Sequence, residues 1–362
     1  MSYITAIGTA VPENCFSQMK IAEFMAKALE LDETEKRKLW ALYRTTQIAQ
    51  RYSVLADYGK DSVAEYEFYP QSTNLEPFPT VSQRMEAYRA YALPLCLKAV
   101  ENLNLTGITH LITVSCTGMY APGLDIDLIE QLSLDTTIHR TAINFMGCYG
   151  AFNGLKVAND ICLAHPTAKV LLVTVELCTL HFQKKKDIDF LLSNALFADG
   201  AAAVIIENTT SKSPKAFRMA SFFCDLYQDG KSDMAWTIAD FGFEMTLTSY
   251  IPKLVKKGIK SLVERLLNQS NHALNEIDYF AVHPGGKAIL EAIETALDIT
   301  VFDNRYAYKI LQEYGNMSSC TVLFVLDAIM KDIKATDTHK KILSCAFGPG
   351  LTLESMLLEI EA

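Results

Sequence analysis

Long runs of positive charge and long apolar runs are both absent from this 362-residue sequence. Lys and Arg number 33 against 42 Asp and Glu, a formal net charge of −9. Because nucleic acids are bound by concentrated positive charge, we expect no nucleic-acid partner. The longest apolar stretch, residues 170–182, is interrupted by Glu176 and is shorter than the roughly 20 residues that span a bilayer. We therefore expect no membrane insertion, and the N-terminal segment lacks the pattern of a signal peptide.

A disulfide framework is also absent, although the chain has nine cysteines. Their number is odd, they are scattered, and none forms a C-x-x-C pair or a zinc-finger spacing with histidine. We therefore expect no metal site, and free thiols favour a cytoplasmic location. Free cysteines are usually buried, so we expect most of the nine to be ordinary buried residues. One of them is a candidate for chemistry, and composition does not identify which. The nine are Cys15, Cys96, Cys116, Cys148, Cys162, Cys178, Cys224, Cys320 and Cys345.

The sequence is rich in apolar residues arranged in an alternating α/β pattern. Half of the residues are hydrophobic and 21% are charged, which predicts a large core of about two domain-sized units. In the first half, periodicity predicts strands over 3–9, 110–114, 169–177 and 201–207 and helices over 18–30, 34–50, 80–103, 124–132 and 150–165. A polar linker is predicted over 208–215. The second half is predicted to contain strands over 216–224, 278–283, 341–347 and 351–360 and helices over 249–268, 286–297 and 317–332.

The two halves repeat one order of elements. In each, a short turn opens a helix that is followed by a strand, a glycine-containing turn and a second strand. The opening turns are Gly147-Cys148 and Gly315-Asn316, and an insertion of about twenty residues (178–198) distinguishes the first half. Periodicity alone leaves open whether this is a duplication or the ordinary alternation of an α/β chain.

Three side chains stand where chemistry is often placed. Cys148 enters a helix, whose N-terminus favours a thiolate, although a plain buried cysteine fits the same position. His283 ends an apolar strand before Pro284, where it either acts chemically or bonds a backbone carbonyl. Asn316 is predicted at the position in the second half that Cys148 holds in the first, and helix capping is its simpler role. A Cys, His and amide that converge suit acyl transfer.

Five ordered motifs resemble those of the type III polyketide synthases, the chalcone synthase-like branch of the thiolase superfamily. The motifs are GCYGAFNGLKVAND, ALFADGAAAVII, VHPGGKAILEAIE, EYGNMSSCTVLFVLD and FGPGLTLESMLL. The resemblance covers nearly the whole chain and is to a bacterial-type member. It implies a homodimeric α/β thiolase fold, with duplicated halves in five α-β-α-β-α layers. The N-terminal half would cover residues 1–216 and carry the nucleophile, and the C-terminal half would cover 217–362.

The resemblance also implies catalytic roles. Cys148 is implied to take an acyl group from coenzyme A, and His283 to keep its thiolate paired. His283 and Asn316 would hold the thioester carbonyl of malonyl-CoA while carbon dioxide leaves. The resulting enolate would attack the acyl group on Cys148 in a Claisen condensation. Coenzyme A thioesters are thus the substrates, and no cofactor is implied.

Other residues are implied by the resemblance to shape the substrate cavity. Phe197 matches an aromatic gate residue, with core packing as its alternative role. Met245, Cys116, Ala121 and His181 stand where plant enzymes carry different side chains, and they imply an aliphatic starter. Ser318 completes the predicted substrate-binding residues.

Coenzyme A binding is expected on basic residues of the N-terminal helices. Lys38 and Arg44 are the candidates, taken from a set that also includes Lys36, Arg37 and Arg51. A solvated helix face is their alternative role. Two basic contacts of the plant enzymes are replaced here by Ala41 and Thr45.

Two rival functions share the fold. A ketoacyl synthase III-like enzyme would perform one condensation and use an acyl carrier protein, but its His and Asn segments differ from those of this chain. A catalytically silent thiolase-fold partner protein is disfavoured by the intact Cys, His and Asn residues.

Overall fold

A computed structural model describes residues 1–209 and 215–362. Its strands are β1 (Tyr3–Ala10), β2 (Asn14–Ser17), β3 (Gln50–Ser53), β4 (His110–Ser115), β5 (His139–Asn144), β6 (Lys169–Leu177), β7 (Asp199–Glu207), β8 (Ala216–Leu226), β9 (Met234–Ala239), β10 (Gly242–Leu247), β11 (Tyr279–Val282), β12 (Lys341–Gly348) and β13 (Thr352–Glu361). Its α-helices are α1 (Gln18–Ala28), α2 (Glu33–Thr45), α3 (Val81–Val100), α4 (Leu124–Gln131), α5 (Gly150–Ala164), α6 (Ile188–Leu196), α7 (Ile251–Gln269), α8 (Lys287–Leu297), α9 (Arg305–Tyr314) and α10 (Thr321–Asp332). None of these helices is long and apolar enough to cross a membrane.

Within the described residues, nine strands form one sheet in the order β11-β12-β13-β8-β1-β7-β6-β4-β5. Strands of the first half occupy one end of this order and strands of the second half the other. The halves meet where Tyr3 and Ile4 of β1 pair with Arg218 and Phe217 of β8. Parallel pairing of β4 with β5 and β6, and of β11 with β12, aligns the carboxyl ends of these strands.

Three apolar clusters lie between the sheet and the helices: one on the outer side of each half of the sheet and one in the middle, between the two halves. On β6, Leu171 and Val173 pack with α1 and α3, whereas Val170 and Leu172 face the opposite layer with α5 and α10. That middle layer also contains the inner faces of β12 and β13. The outer faces of β12 and β13 pack on α7 and α8. The order is therefore α-β-α-β-α, as expected, and α5 and α10 are enclosed between two sheet faces.

The order of elements repeats in the two halves, but Cys148 and Asn316 do not occupy equivalent positions in it. Each central helix is preceded by one turn of 3-10 helix, Gly147–Tyr149 before α5 and Ser318–Cys320 before α10. Both turns begin with a left-handed residue, at φ 77° for Gly147 and 48° for Ser318. By this register Ser319, not Asn316, corresponds to Cys148. Asn316 lies before the turn because its backbone is still paired with an extended segment at Phe197.

Helix α2 is shorter than the helix predicted over 34–50. It begins at a capping box formed by Asp32 and Glu35. Near its end, Thr45 and Thr46 donate their hydroxyls to the carbonyls of Leu42 and Tyr43, which competes with helix continuation. Gln47 then adopts a φ of 60°, and the chain leaves as an extended segment.

Several elements were not predicted at all: the β2–β3 and β9–β10 hairpins, β5, α6 and α9. The signal for β10 was present, because Phe243, Met245 and Leu247 alternate with more exposed residues at the period of a strand. Of the predicted linker 208–215, residues 210–214 lie outside the described residues. The expectation that the other cysteines are buried is wrong for Cys15 and Cys224, which are exposed.

The enclosed central layer predicts a large stability effect at Phe152 of α5, which is fully buried. We expect Phe152→Ala to lower the free energy of unfolding by about 3–5 kcal/mol, because the cavity it leaves lies between two sheet faces. The measurement is equilibrium unfolding in urea. The control is Leu163→Ala on the same helix, where the side chain is 58% exposed and the change should stay within about 0.5 kcal/mol. Equal losses at the two positions would contradict the layer assignment.

Candidate active site

Loops from both halves meet at the turn that carries Cys148. A Cβ at Gly147 would overlap Pro349, and a Cβ at Gly348 would lie 3.3 Å from the backbone nitrogen of Cys148. The left-handed φ of Gly147 independently favours glycine there. The loop after β12 in the second half therefore fixes the position of Cys148 in the first.

Cys148 is buried and hydrogen-bonded within this junction. Its side chain is 6% exposed and interacts with the side chains of Ser318 and Asn316. Burial raises the pKa of the Cys148 thiol to about 12, while the hydrogen bonds from Ser318 and Asn316 act in the opposite direction. The helix start was expected to lower this pKa, but burial has the larger effect on it and raises it. A reactive thiolate here requires a proton acceptor within the site.

His283 has the free nitrogens that such an acceptor needs. It follows β11, where its backbone N–H donates to the carbonyl of Cys345 at 2.8 Å. The residue is fully buried, yet neither ring nitrogen has a hydrogen-bond partner among the described residues. The alternative role, a histidine satisfied by a backbone carbonyl, is therefore wrong for the ring. Burial lowers the pKa of His283 to about 3, so the resting imidazole is neutral.

Asn316 connects the turn after His283 to the turn before α10. Its side-chain Nδ2 donates to the carbonyl of Gly285 at 3.2 Å, and its Oδ1 accepts from the backbone N–H of Ser318 at 2.9 Å. The capping alternative is thus realised at the 3-10 turn rather than at α10 itself. The same amide also contacts Cys148, so the structure brings all three predicted catalytic residues to one junction through direct contacts and the His283–Gly285 turn.

Phe197 is held against Asn316 by backbone hydrogen bonds. Asn316 N–H donates to the carbonyl of Leu196, and the N–H of Ala198 donates to that of Asn316, at 2.9 and 2.8 Å. Arg51 donates from Nη1 to the carbonyl of Phe197 at 2.5 Å. Arg51 is 2% exposed and lies on β3, so its grouping with the solvent-facing basic residues of the N-terminal helices is wrong. It positions the Phe197 segment instead.

An apolar inner cavity lies beside this junction. Gly147, Phe197 and Ser318 border it next to Cys148 and Asn316. Apolar side chains form much of the remaining wall, including Ile21, Met25, Phe182, Phe190, Trp236 and Phe243. Its apolar lining suits an organic ligand. The predicted cavity residues Met245, Cys116, His181 and Ser318 all line it.

His181 is a fixed, neutral part of the cavity wall. Its Nε2 lies 2.6 Å from the carbonyl of Thr117, and its Nδ1 accepts from the backbone N–H of Phe243 at 3.0 Å. These contacts assign the proton to Nε2. Burial lowers the pKa of His181 to about 3, and its ring stacks on Phe243 at 4.2 Å. The residue therefore shapes the wall without supplying a charge.

A second, outer cleft lies beside the Phe197 segment. Consecutive residues face different spaces, since Leu196 lines the outer cleft and Phe197 the inner cavity. The same division occurs on β10, where Leu247 lines the outer cleft and Met245 the inner cavity. Phe197 and Met245 thus stand at the boundary between the two spaces.

The structure does not bring three predicted residues to either space. Ala121 is exposed in the loop after β4, and Lys38 and Arg44 are exposed on α2. None of the three lines the inner cavity or the outer cleft. Thr45, at one of the positions where plant enzymes carry a basic residue, does line the outer cleft.

Glu176 is a functional candidate that the sequence analysis missed. It is fully buried on β6 and accepts from the backbone N–H of Cys116 at 3.0 Å, the hydroxyl of Thr117 at 2.9 Å and the hydroxyl of Ser319 at 2.5 Å. The Cys116 thiol also lies 3.3 Å from both carboxyl oxygens and from the Ser318 hydroxyl. Burial raises the pKa of Glu176, and these donors act in the opposite direction. The available signal was one acidic residue inside an apolar strand.

Within the described residues 1–209 and 215–362, no group of three or more His, Cys, Asp or Glu side chains is placed to hold a metal ion.

Comparison with known families gives two matches that together span most of the chain. The model described as "Chalcone and stilbene synthases, N-terminal domain" matches residues 1–210. The corresponding C-terminal domain model matches residues 221–361.

Individual relatives and solved structures agree with this match. The chain is similar to type III polyketide synthase C of Arabidopsis thaliana, at 32% identity over 98% of this chain and 94% of that protein. It is 27% identical to the alpha-pyrone synthesis polyketide synthase-like Pks18 of Mycobacterium tuberculosis, over 99% of this chain and 91% of that protein. The crystal structure of PKS-I from the brown alga Ectocarpus siliculosus superposes with a TM-score of 0.91 at 28% identity, covering 99% of this chain and 98% of that one.

The raised pKa of Cys148 and the free nitrogens of His283 predict a pH-dependent reactivity. A thiol with a raised pKa forms thiolate only at high pH, so alkylation at pH 6.5 depends on proton transfer to His283. We expect His283→Gln to slow iodoacetamide labelling of Cys148 at pH 6.5 by about 10²-fold, with the rate recovering as pH rises. The measurement is the labelling rate from pH 6 to 10 by intact mass.

The control for this prediction is His272→Gln, which removes a histidine from an ion pair with Glu276 outside the site. Its labelling profile should match that of the wild type. Unchanged labelling of the His283→Gln protein at pH 6.5 would show that His283 is not the acceptor.

The contacts of Glu176 predict a combined effect on stability and activity. Glu176→Gln places an amide donor opposite hydroxyl and N–H donors, so we expect a loss of about 1–3 kcal/mol in the free energy of unfolding. We also expect lower turnover by the folded enzyme, because Cys116 and Ser319 lose their shared anchor and Ser318 lies between them in contact with Cys116. Asp57→Asn is the control, since Asp57 is another fully buried carboxyl that accepts three backbone N–H groups. It should destabilise the fold while turnover per folded molecule stays unchanged; equal turnover losses would remove the specific role of Glu176.

Proposed function

The chain belongs to the chalcone and stilbene synthase family of type III polyketide synthases, which are acyltransferases, and we propose that it extends an acyl-CoA starter with malonyl-CoA on Cys148. The starter is lengthened by repeated decarboxylative condensation, and the product cyclises to a pyrone or to a resorcinol or phloroglucinol type of ring. The observation that carries the proposal is a buried thiol in contact with Asn316, whose amide bonds Gly285 in the turn after a buried histidine with two unpartnered ring nitrogens. Gly147 and Ser318, next to the thiol, border an apolar cavity.

Loading begins with transfer of the Cys148 proton to a ring nitrogen of His283. The sulfur then attacks the thioester carbonyl of the starter, so a new C–S bond forms at Cys148 and the C–S bond to coenzyme A breaks. The proton held by His283 passes to the departing coenzyme A thiolate. Burial disfavours the charge of either residue alone, but proton transfer within the site leaves the net charge of the site unchanged.

Extension uses His283 and Asn316 as donors to the thioester oxygen of malonyl-CoA. The bond to the malonyl carboxylate breaks, carbon dioxide leaves, and its electron pair forms an enolate that these donors stabilise. The enolate carbon attacks the acyl carbonyl on Cys148, forming a C–C bond and releasing the Cys148 thiolate. Because decarboxylation generates the enolate, the proposed reaction needs no strong base, metal or organic cofactor from the protein.

An aliphatic starter fits the inner cavity. Its wall is largely apolar, and the buried His181 is held neutral by its two backbone contacts. Met245 at the boundary is unbranched and can yield to a long chain. The Mycobacterium tuberculosis relative is named as an alpha-pyrone synthesis enzyme, which is consistent with a pyrone product here.

A homodimer of cytoplasmic subunits, each with halves 1–216 and 217–362, is part of the same proposal. Strand β5 ends the sheet order, and its outer edge has no partner strand among the described residues. An exposed strand edge of this kind can pair with a second copy. The oligomeric state is open to direct measurement by analytical ultracentrifugation.

The proposed function predicts a preference among starters. Incubation with malonyl-CoA and acyl-CoAs of graded length should yield products with several two-carbon extensions, and aliphatic starters should be used at least about tenfold better than coumaroyl-CoA because they match an apolar wall. Products are identified by mass spectrometry with labelled malonyl-CoA.

Cys148→Ala is the matched control, and it should abolish all extended products. One extension instead of several would indicate the single-condensation ketoacyl synthase. No extension from any starter would indicate a silent partner protein, and a clear preference for coumaroyl-CoA would contradict the aliphatic starter.

A further inference from the structure

A second thiol, that of Cys116, lies next to the nucleophile at the inner cavity. The Cys116 sulfur is 3.3 Å from the hydroxyl oxygen of Ser318, and the side chain of Ser318 also contacts the Cys148 thiol. Cys116 is 5% exposed and Cys148 is 6% exposed, and Cys116 lines the cavity directly. One hydroxyl group therefore touches two buried thiols.

The backbone brings the two cysteines together from neighbouring strands. Strands β4 and β5 pair in parallel, and beyond them the N–H of Phe145 donates to the carbonyl of Ser115 at 3.2 Å. Cys116 follows Ser115 directly, and Cys148 lies in the first turn after β5. Both cysteines thus leave the same end of the sheet from adjacent strands and turn toward one hydroxyl. In that arrangement side-chain rotation brings two sulfurs together without a change in the sheet.

The Cys116 thiol also has a proton acceptor. Its sulfur lies 3.3 Å from both carboxyl oxygens of the buried Glu176. Burial and the charge of Glu176 raise the pKa of Cys116, so its thiolate forms only as the proton passes to that carboxyl. Anchoring of the carboxyl does not call for a cysteine, because a thiol is a weak donor and the hydroxyls of Thr117 and Ser319 already bond to Glu176.

From this arrangement we propose that Cys116 protects the nucleophile from peroxide by forming a reversible disulfide with Cys148. The inference rests on the proposed function only in taking Cys148 as the reactive thiol. Without a second thiol nearby, an oxidised cysteine continues to sulfinic acid, which thiol reductants do not reverse. The disulfide stops that sequence, and exchange with a small thiol returns both cysteines to the reduced form.

The chemistry takes two steps. In the first, the Cys148 thiolate attacks hydrogen peroxide, so an S–O bond forms and the O–O bond breaks. The departing hydroxide takes the proton held by His283 and leaves as water; the sulfur is oxidised to a sulfenic acid and the peroxide is reduced. In the second, Cys116 gives its proton to Glu176 and attacks the Cys148 sulfur. An S–S bond forms, the S–O bond breaks, and the hydroxide takes that proton and leaves as a second water.

Cys178 is another thiol that lines the inner cavity, and its contacts disfavour the same role. It follows β6 and is 8% exposed. Within the described ranges 1–209 and 215–362, its thiol makes no hydrogen bond to Glu176 or Ser318. It therefore lacks both the proton acceptor and the contact shared with Cys148 that Cys116 has.

The test exposes the reduced enzyme, freed of excess thiol, to graded hydrogen peroxide and then measures mass and activity. In the wild type we expect peptides containing Cys116 and Cys148 to be joined with the loss of two hydrogens, and dithiothreitol should restore most of the untreated activity. In Cys116→Ser, which keeps a hydroxyl beside Glu176, Cys148 should gain two oxygens instead. The activity that this variant fails to recover, relative to its own untreated level, should be at least about fivefold that of the wild type.

The matched control is Cys178→Ser, which removes another cavity thiol and should recover as the wild type does. Absence of the Cys116–Cys148 bridge in the wild type would overturn the inference whether or not the variants fold. Equal irreversible losses by wild type and Cys116→Ser would also overturn it, as would loss of recovery in Cys178→Ser. The bridge is read by mass alone, so a chain that forms it without making any polyketide would refute only the proposed function.

Discussion

The buried carboxyl group of Glu176 ties the two halves of the molecule together at the point where chemistry is proposed. It takes donors from Cys116 and Thr117, at the end of one N-terminal strand, and from Ser319, in the turn before the central C-terminal helix. An unpaired carboxylate in this position would be costly, so each donor is needed. The group therefore fixes the relative position of the two halves at one site. The neighbouring Ser318 contacts both the Cys116 and the Cys148 thiols.

A second constraint acts from the opposite side of Cys148. Gly147 and Gly348 allow the loop after β12 and the turn that carries Cys148 to approach closely, because a Cβ at Gly147 would overlap Pro349 and one at Gly348 would overlap Tyr149. Asn316 completes the enclosure through its bonds to Gly285 and Ser318. Cys148, His283 and Asn316 are thus held by contacts with the backbone of loops from both halves. A rigid arrangement of this kind can hold donors where charge develops during reaction.

Much of this could be predicted from the order of motifs, because each motif marks a strand end or helix start whose place in the layers is set by topology. Cys148, His283 and Asn316 were predicted in this way, and the structure places them around one junction. The register of the repeat was not, since the pairing of Asn316 with the Phe197 segment is a contact between distant residues. Arg51 was misplaced because burial of an arginine depends on acceptors, here Gln18 and Phe197, that come from elsewhere in the chain. The pKa of Cys148 was misjudged because a helix start can be recognised in sequence, whereas the extent of desolvation cannot.

Desolvation also determines which groups in the site carry a charge. Around Cys148 and His283 burial favours the neutral form of each group, so the reactive ion pair exists only when a proton moves between them. The cavity histidine His181 is held neutral by its two backbone contacts. Arg51 also lines the cavity, but its guanidinium donates to the side chain of Gln18 and to the carbonyl of Phe197. With His181 neutral and Arg51 bonded to these groups, the counter-charge of a Cys148 thiolate is left to a protonated His283, so the same proton transfer that forms the thiolate also stabilises it.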